Sequence, residues 1–184
     1  MKRHLILPGL ALLLAATAAT ASESLVQRGS GLRTKPILGA MYELALFVPD
    51  SLKDADAQAL IEADRPMELV LEIQSRLITR ARFVETTTSG FEKAARSGYV
   101  SDRTQAFLDQ FAATEFKKGD TVVMRYADGG LSTLYRKPAA GESPATETVL
   151  GTIPGLDLKK ALFAIWLGSS PAQESLKKAL LGGK

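Results

Sequence analysis

Lys117-Lys118-Gly119-Asp120-Thr121-Val122-Val123-Met124-Arg125-Tyr126-Ala127-Asp128-Gly129-Gly130-Leu131-Ser132-Thr133-Leu134-Tyr135 decides the fold class. Thr121 to Tyr126 is rich in β-branched and aromatic side chains, which fit a pleated, half-buried surface. Asp128-Gly129-Gly130 then supplies the residues that a tight turn between strands prefers. Leu131 to Tyr135 therefore returns beside the first run as an antiparallel partner, because a parallel partner needs a crossover of a dozen residues or more. Lys117-Lys118-Gly119-Asp120 is the turn that leads in.

Reading outward, upstream, Met67-Glu68-Leu69-Val70-Leu71-Glu72-Ile73 alternates like a strand before becoming apolar in its middle. Thr79 is placed to cap a long helix with Phe83, Thr87, Phe91 and Ala94 on its inner side. The run Thr86-Thr87-Thr88-Ser89-Gly90 is weak helix material and predicts a kink or frayed turn. Asp102 to Phe111 reads as another helix, with Phe107, Leu108 and Phe111 on one side. Nearer the N-terminus, Leu32 to Val48 reads as one or two strands, with Pro36 at an edge or bulge and Gly29-Ser30-Gly31 as a flexible lead-in. Asp54 to Ala63 predicts a short helix capped by Asp54 or Asp56.

Downstream of the hairpin, Lys137 to Thr146 is a loop and Val149 to Ile153 a strand, stopped by Pro154-Gly155. Two helices close the chain, Leu156 to Leu167 and Pro171 to Leu181, separated by Gly168-Ser169-Ser170. The stripe of Leu158, Leu162 and Ile165, broadened by Phe163, Trp166 and Leu167, predicts the face laid on the sheet. Lys159-Lys160 and Lys177-Lys178 read as solvated helix faces, and Glu68 and Glu72 as outward-facing strand carboxylates. Hairpins outnumber βαβ units in this order, so the fold class is α+β: a long antiparallel sheet covered on one face by helices.

The first residues read differently. Met1-Lys2-Arg3 is a positive start, Leu5 to Ala16 an apolar run too short for a span of ~20 residues, and Ala19-Thr20-Ala21 a small-x-small cleavage pattern. The expectation is a signal peptide over 1–21 and one domain over 22–184, periplasmic or secreted, with no membrane span after cleavage. No cysteine follows the apolar run, which excludes a thioether-linked lipid anchor.

Composition removes several functions. The chain has no cysteine, so disulfides, thiol catalysis and Cys-ligated metals are excluded. Its one histidine, His4, belongs to the leader, so Ser-His and Cys-His chemistry is excluded from the mature domain. The formal charge of +3 includes Lys2 and Arg3; without them 21 basic residues face 20 acidic ones, with no basic stripe for nucleic acid. No cofactor and no metal site is expected.

The C-terminal pieces Gly151-Thr152-Ile153-Pro154-Gly155, Ala161-Leu162-Phe163-Ala164-Ile165-Trp166-Leu167-Gly168 and Ser175-Leu176-Lys177 resemble the bacterial chalcone isomerase-like proteins. Gly31-Leu32-Arg33-Thr34-Lys35, Ala45-Leu46-Phe47-Val48-Pro49 and Lys118-Gly119-Asp120 extend the resemblance in the family's order. The resemblance implies an open-faced β-sandwich with a cleft between sheet and helices, in members that are either isomerases or binders of fatty acids. It implies that Arg33 faces the cleft and handles an anionic oxygen, as a guanidinium fork can.

The isomerases' other groups are not carried over. Their tyrosine before the long helix falls on Ile78, their asparagine near Glu85 or Thr86, their cleft threonine at about Tyr42, and a hydroxyl residue near Lys159. Tyr42 supplies one hydroxyl to the cleft, or else is a core tyrosine with a wet hydroxyl. The expected function is thus non-catalytic binding of a fatty acid or other small amphipathic anion by Arg33 and Tyr42. The alternatives are an intramolecular lyase of chalcone isomerase type using the same two residues, and an envelope interaction module with a closed cleft.

Overall fold

Alternation along Gly39–Pro49 (β2) sends Leu44, Leu46 and Val48 to one side, and the same side collects the apolar residues of each neighbouring strand. In the computed structural model, which describes residues 23–183, β2 pairs with Leu25–Lys35 (β1) and with Met67–Ile73 (β3). The signal peptide expected over 1–21 lies outside the described residues. Thr121–Ala127 (β4), Gly130–Lys137 (β5) and Thr146–Pro154 (β6) complete a six-stranded sheet in the order β1-β2-β3-β4-β5-β6, antiparallel throughout. Register aligns Leu44, Leu71, Val122 and Tyr135 across four strands, and Leu46, Leu69, Met124 and Thr133 beside them. These rows are the floor of the core.

Helices interrupt the meander. Ala57–Glu62 (α1) lies between β2 and β3, and Arg80–Arg96 (α2) and Thr104–Asp109 (α3) between β3 and β4. Leu156–Leu167 (α4) and Glu174–Leu180 (α5) follow β6. Asp56 caps α1 by accepting from Ala59 N at 2.7 Å, and Thr79 caps α2 by accepting from Arg82 N. The expected break in α2 does not occur. Thr87 and Thr88 donate their hydroxyls back to the carbonyls of Phe83 and Val84, which satisfies them inside a continuous helix.

Two of the expected helices are shorter than the sequence suggests. The second begins only at Thr104, after Asp102 and Arg103, and the last only at Glu174, with Pro171 to Gln173 left as a connecting strap. The larger correction concerns Gly29-Ser30-Gly31. It is the middle of β1, and its glycines are required by contact rather than by flexibility. A Cβ on Gly29 would stand 2.2 Å from the Ala179 carbonyl oxygen, and one on Gly31 2.7 Å from the Ala179 Cβ. The missing side chains let α5 lie directly on the edge strand.

Helix α4 is buried on nearly every side, among the sheet, α1, α2 and α5, as its unbroken apolar run Ala161–Leu167 requires. Lys159 is fully buried there, contrary to the solvated face expected of it. Its Nζ donates to the carbonyls of Leu60, Ile61 and Ala63 at 2.6, 2.9 and 2.8 Å, so it closes the C-terminal end of α1. Burial pushes the Lys159 pKa down to about 7, while the helix end and its three carbonyls, which together need three N–H groups, favour the ammonium. Glu68 is likewise covered, paired with Arg125 on the neighbouring strand, whereas Glu72 stays exposed.

Lys159→Met keeps the length of the side chain but leaves three buried carbonyls without donors. It is expected to cost about 3 kcal/mol. Denaturant unfolding measures this directly, and a variant as stable as wild type would contradict the assignment.

Candidate functional site

Phe83 of α2 is buried under the helix. It packs against Phe111 and Phe116 at centroid distances of 4.7 and 4.6 Å, within a chain of aromatic contacts that continues to Phe107 and Tyr135. Further along α2, Gly90 allows Ile165 of α4 to approach, since a Cβ there would meet Ile165 Cγ2 at 2.9 Å. Between these two contacts the helices stand off the sheet and leave a cavity of about 270 Å³. Met41, Leu71 and Met124 form its floor, and Leu162, Ile165 and Trp166 one wall. The lining is mainly apolar.

Charge gathers around it. Arg33, Lys35, Arg82 and Lys93 line the cavity, against one carboxylate, Glu85. Arg33 reaches it because β1 and β2 pair with Arg33 opposite Tyr42, which sets both on the concave face. Arg33 Nη1 donates to Gln173 Oε1 at 2.8 Å and to the Thr34 carbonyl. Gln173 Oε1 also accepts from Thr34 N at 3.1 Å, and its Nε2 donates to Ser175 Oγ at 2.6 Å. Among the described residues no carboxylate lies within 4 Å of Arg33. The guanidinium is thus held in place by neutral acceptors, both on Nη1.

Tyr42 is half-buried, and its hydroxyl accepts from Trp166 Nε1 at 2.9 Å. Burial pushes the phenol pKa up, and the Trp166 bond and the charge of Arg33 offset part of that rise. A neutral phenol that already accepts a bond retains its own proton as a donor beside Arg33. It offers no general base. Neither the core alone nor a wet hydroxyl describes it: the oxygen is engaged inside the fold.

The structure brings together on one cavity Arg33, Tyr42, Ile78, Glu85 and Thr86, all of them positions singled out in the sequence. It separates Lys159 from them, since that side chain runs to α1. Trp166 does more than pack, because it also fixes Tyr42. Gln173 carried no signal in the sequence. It stands 140 residues from Arg33 and lies in the strap where a helix was expected. Among the described residues no group of His, Cys, Asp and Glu side chains could hold a metal, and no helix is long and apolar enough to cross a membrane.

Tyr42→Phe removes the acceptor of the Trp166 N–H and is expected to cost about 1 kcal/mol. Because Trp166 is the chain's only tryptophan, its fluorescence emission should shift in the variant. Unchanged emission and stability would show that the bond is not formed.

Residues 11–182 match a family described as chalcone isomerase-like. No curated protein matches the sequence. Among solved structures, a fatty-acid binding protein of Arabidopsis thaliana is similar with a TM-score of 0.62 and 19% identity, over 89% of each chain. At that identity the likeness is one of fold: the antiparallel sheet with helices on one face. With the match extending over nearly its whole length, the chain belongs to the chalcone isomerase-like family.

Proposed function

We propose that the protein is an exported, non-catalytic member of this family that binds a fatty acid or another small amphipathic anion. The observation that carries the proposal is the asymmetry of the cavity, apolar within and lined by four cations against one carboxylate. A carboxylate head group would take the Arg33 donors left free by Gln173, with the Tyr42 hydroxyl as a second donor. The acyl chain would lie along Met41, Leu71, Leu162 and Ile165. A volume of about 270 Å³ is close to the lower end of small-molecule sites, on the order of 300–1,000 Å³, and suits a short or medium chain. The printed description of the Arabidopsis neighbour, a fatty-acid binding protein, supports the same class of ligand.

The absence of catalysis follows from the residues that replace the isomerases' set. Ile78 has no hydroxyl, and Tyr42 is held neutral by burial. The described residues contain no histidine. Export rests on the charged start, short apolar run and small-x-small end of residues 1–21, which fit delivery to the periplasm or beyond. The open cavity beneath Arg33 speaks against a module with a closed cleft. A lyase reading has one feature in its favour, the pairing of Arg33 with Tyr42 across β1 and β2; chalcone turnover abolished by Arg33→Ala would select it.

The test is native mass spectrometry of the mature protein, purified gently from its own envelope, beside Arg33→Ala. The wild type is expected to carry a bound acid that the variant has lost. Masses of the bare chain in both would overturn the proposal.

A further inference from the structure

Next to the cavity the hairpin between β1 and β2 ends in Lys35-Pro36-Ile37-Leu38. Leu38 N donates to Pro36 O at 2.8 Å, closing a three-residue γ-turn on Ile37, whose φ is 69°. This is the rarer and strained hand of that turn, and a β-branched residue there is a steric outlier. Glycine would relieve it. The strain secures no packing, since Ile37 is 105% exposed. Leu38 beside it is 47% exposed.

A second lip runs alongside. Gln74 N and Ser75 N both donate to Met41 O, at 2.9 and 3.1 Å, and two residues on stands Leu77, which is 43% exposed and also lines the cavity. Around these apolar residues stand Lys35, Arg76 and Arg82, all exposed, whereas the nearby Arg80 is turned to donate to the Ala112 carbonyl. None has a carboxylate within 4 Å among the described residues, whereas Arg103, Arg125, Arg136 and Lys160 elsewhere are each paired. Of the nearby acids, Glu72 accepts from Gln74 Nε2 and Glu85 belongs to the cavity lining.

We infer that these two lips, Lys35–Leu38 and Arg76–Leu77, are a docking surface for an anionic lipid bilayer, on which the cavity is loaded or emptied. Protruding aliphatic side chains flanked by unpaired cations match a headgroup layer, which takes the charges at its surface and the side chains below it. A phosphate backbone would take the cations but leave Ile37 in water. A protein partner would call for a continuous apolar patch rather than separate projections. The inference rests on the proposed acid binding for its cargo, and on nothing but the lips for the docking.

The test is co-sedimentation of the mature chain with phosphatidylcholine vesicles, with and without phosphatidylglycerol. Binding is expected with phosphatidylglycerol and should weaken as salt is raised. Ile37→Asn removes the projecting aliphatic side chain and should weaken vesicle binding about tenfold. Arg76→Glu should weaken it as well. Equal sedimentation with both lipids, or Ile37→Asn binding like wild type, would overturn the inference. Titration with octanoic acid without vesicles separates the two readings. Acid binding without vesicle binding removes the docking surface alone, and vesicle binding without acid binding removes the proposed ligand alone.

Discussion

Helix α4 has to be buried on almost all sides, and most of the structure can be understood as the means of doing so. Its run Ala161–Leu167 contains no polar side chain except the Trp166 indole N–H, so sheet, α1, α2 and α5 must all contribute apolar surface to it. Each contact has its own enabling residue: Gly90 for α2, and Gly29 and Gly31 for α5 on the neighbouring edge strand. Where α4 meets α1 a charge is admitted, because the end of α1 offers three carbonyls to the Lys159 ammonium. Breaking such an arrangement by removing one partner costs much more than the arrangement itself contributes.

The cavity follows from the same constraint. Helix α2 touches α4 at Gly90 and leans on Phe111 and Phe116 at Phe83, and the space between cannot be filled by either helix. Besides the floor residue Met41, what β1 and β2 bring to it is polar. Arg33 and Tyr42 are neighbours across the strands, and each is held by a residue distant in sequence, Gln173 and Trp166. Both of those holders belong to the C-terminal segment, so the part of the chain that completes the core also fixes the polar end of the cavity.

The sheet was legible wherever turn chemistry was explicit. Asp128-Gly129-Gly130 announced the β4–β5 hairpin, and the alternation of Met67–Ile73 gave β3 its bounds. Gly29-Ser30-Gly31 misled because glycine in a strand is ordinarily a weakness, and the helix lying against it cannot be inferred from local sequence. Lys159 misled for a similar reason. Its partners lie 96 to 99 residues away, and a lysine beside another lysine on a helix is solvated by default. Only the resemblance to a family singled out Arg33, which the structure places in the cavity lining. Its supporting Gln173 was not visible at all, since nothing in a Pro-Ala-Gln strap specifies a partner on β1.

The central claim is that the cavity selects a negative head group as well as an apolar tail. Isothermal titration calorimetry of the mature protein with octanoic acid and with 1-octanol separates those two contributions. Burial of the tail should give both ligands a negative heat-capacity change. The charge-assisted bond at Arg33 should make the acid at least about tenfold tighter, from ~1.5 kcal/mol or more. An alcohol that binds as tightly as the acid would contradict the role given to Arg33 and, with it, the account of the cavity.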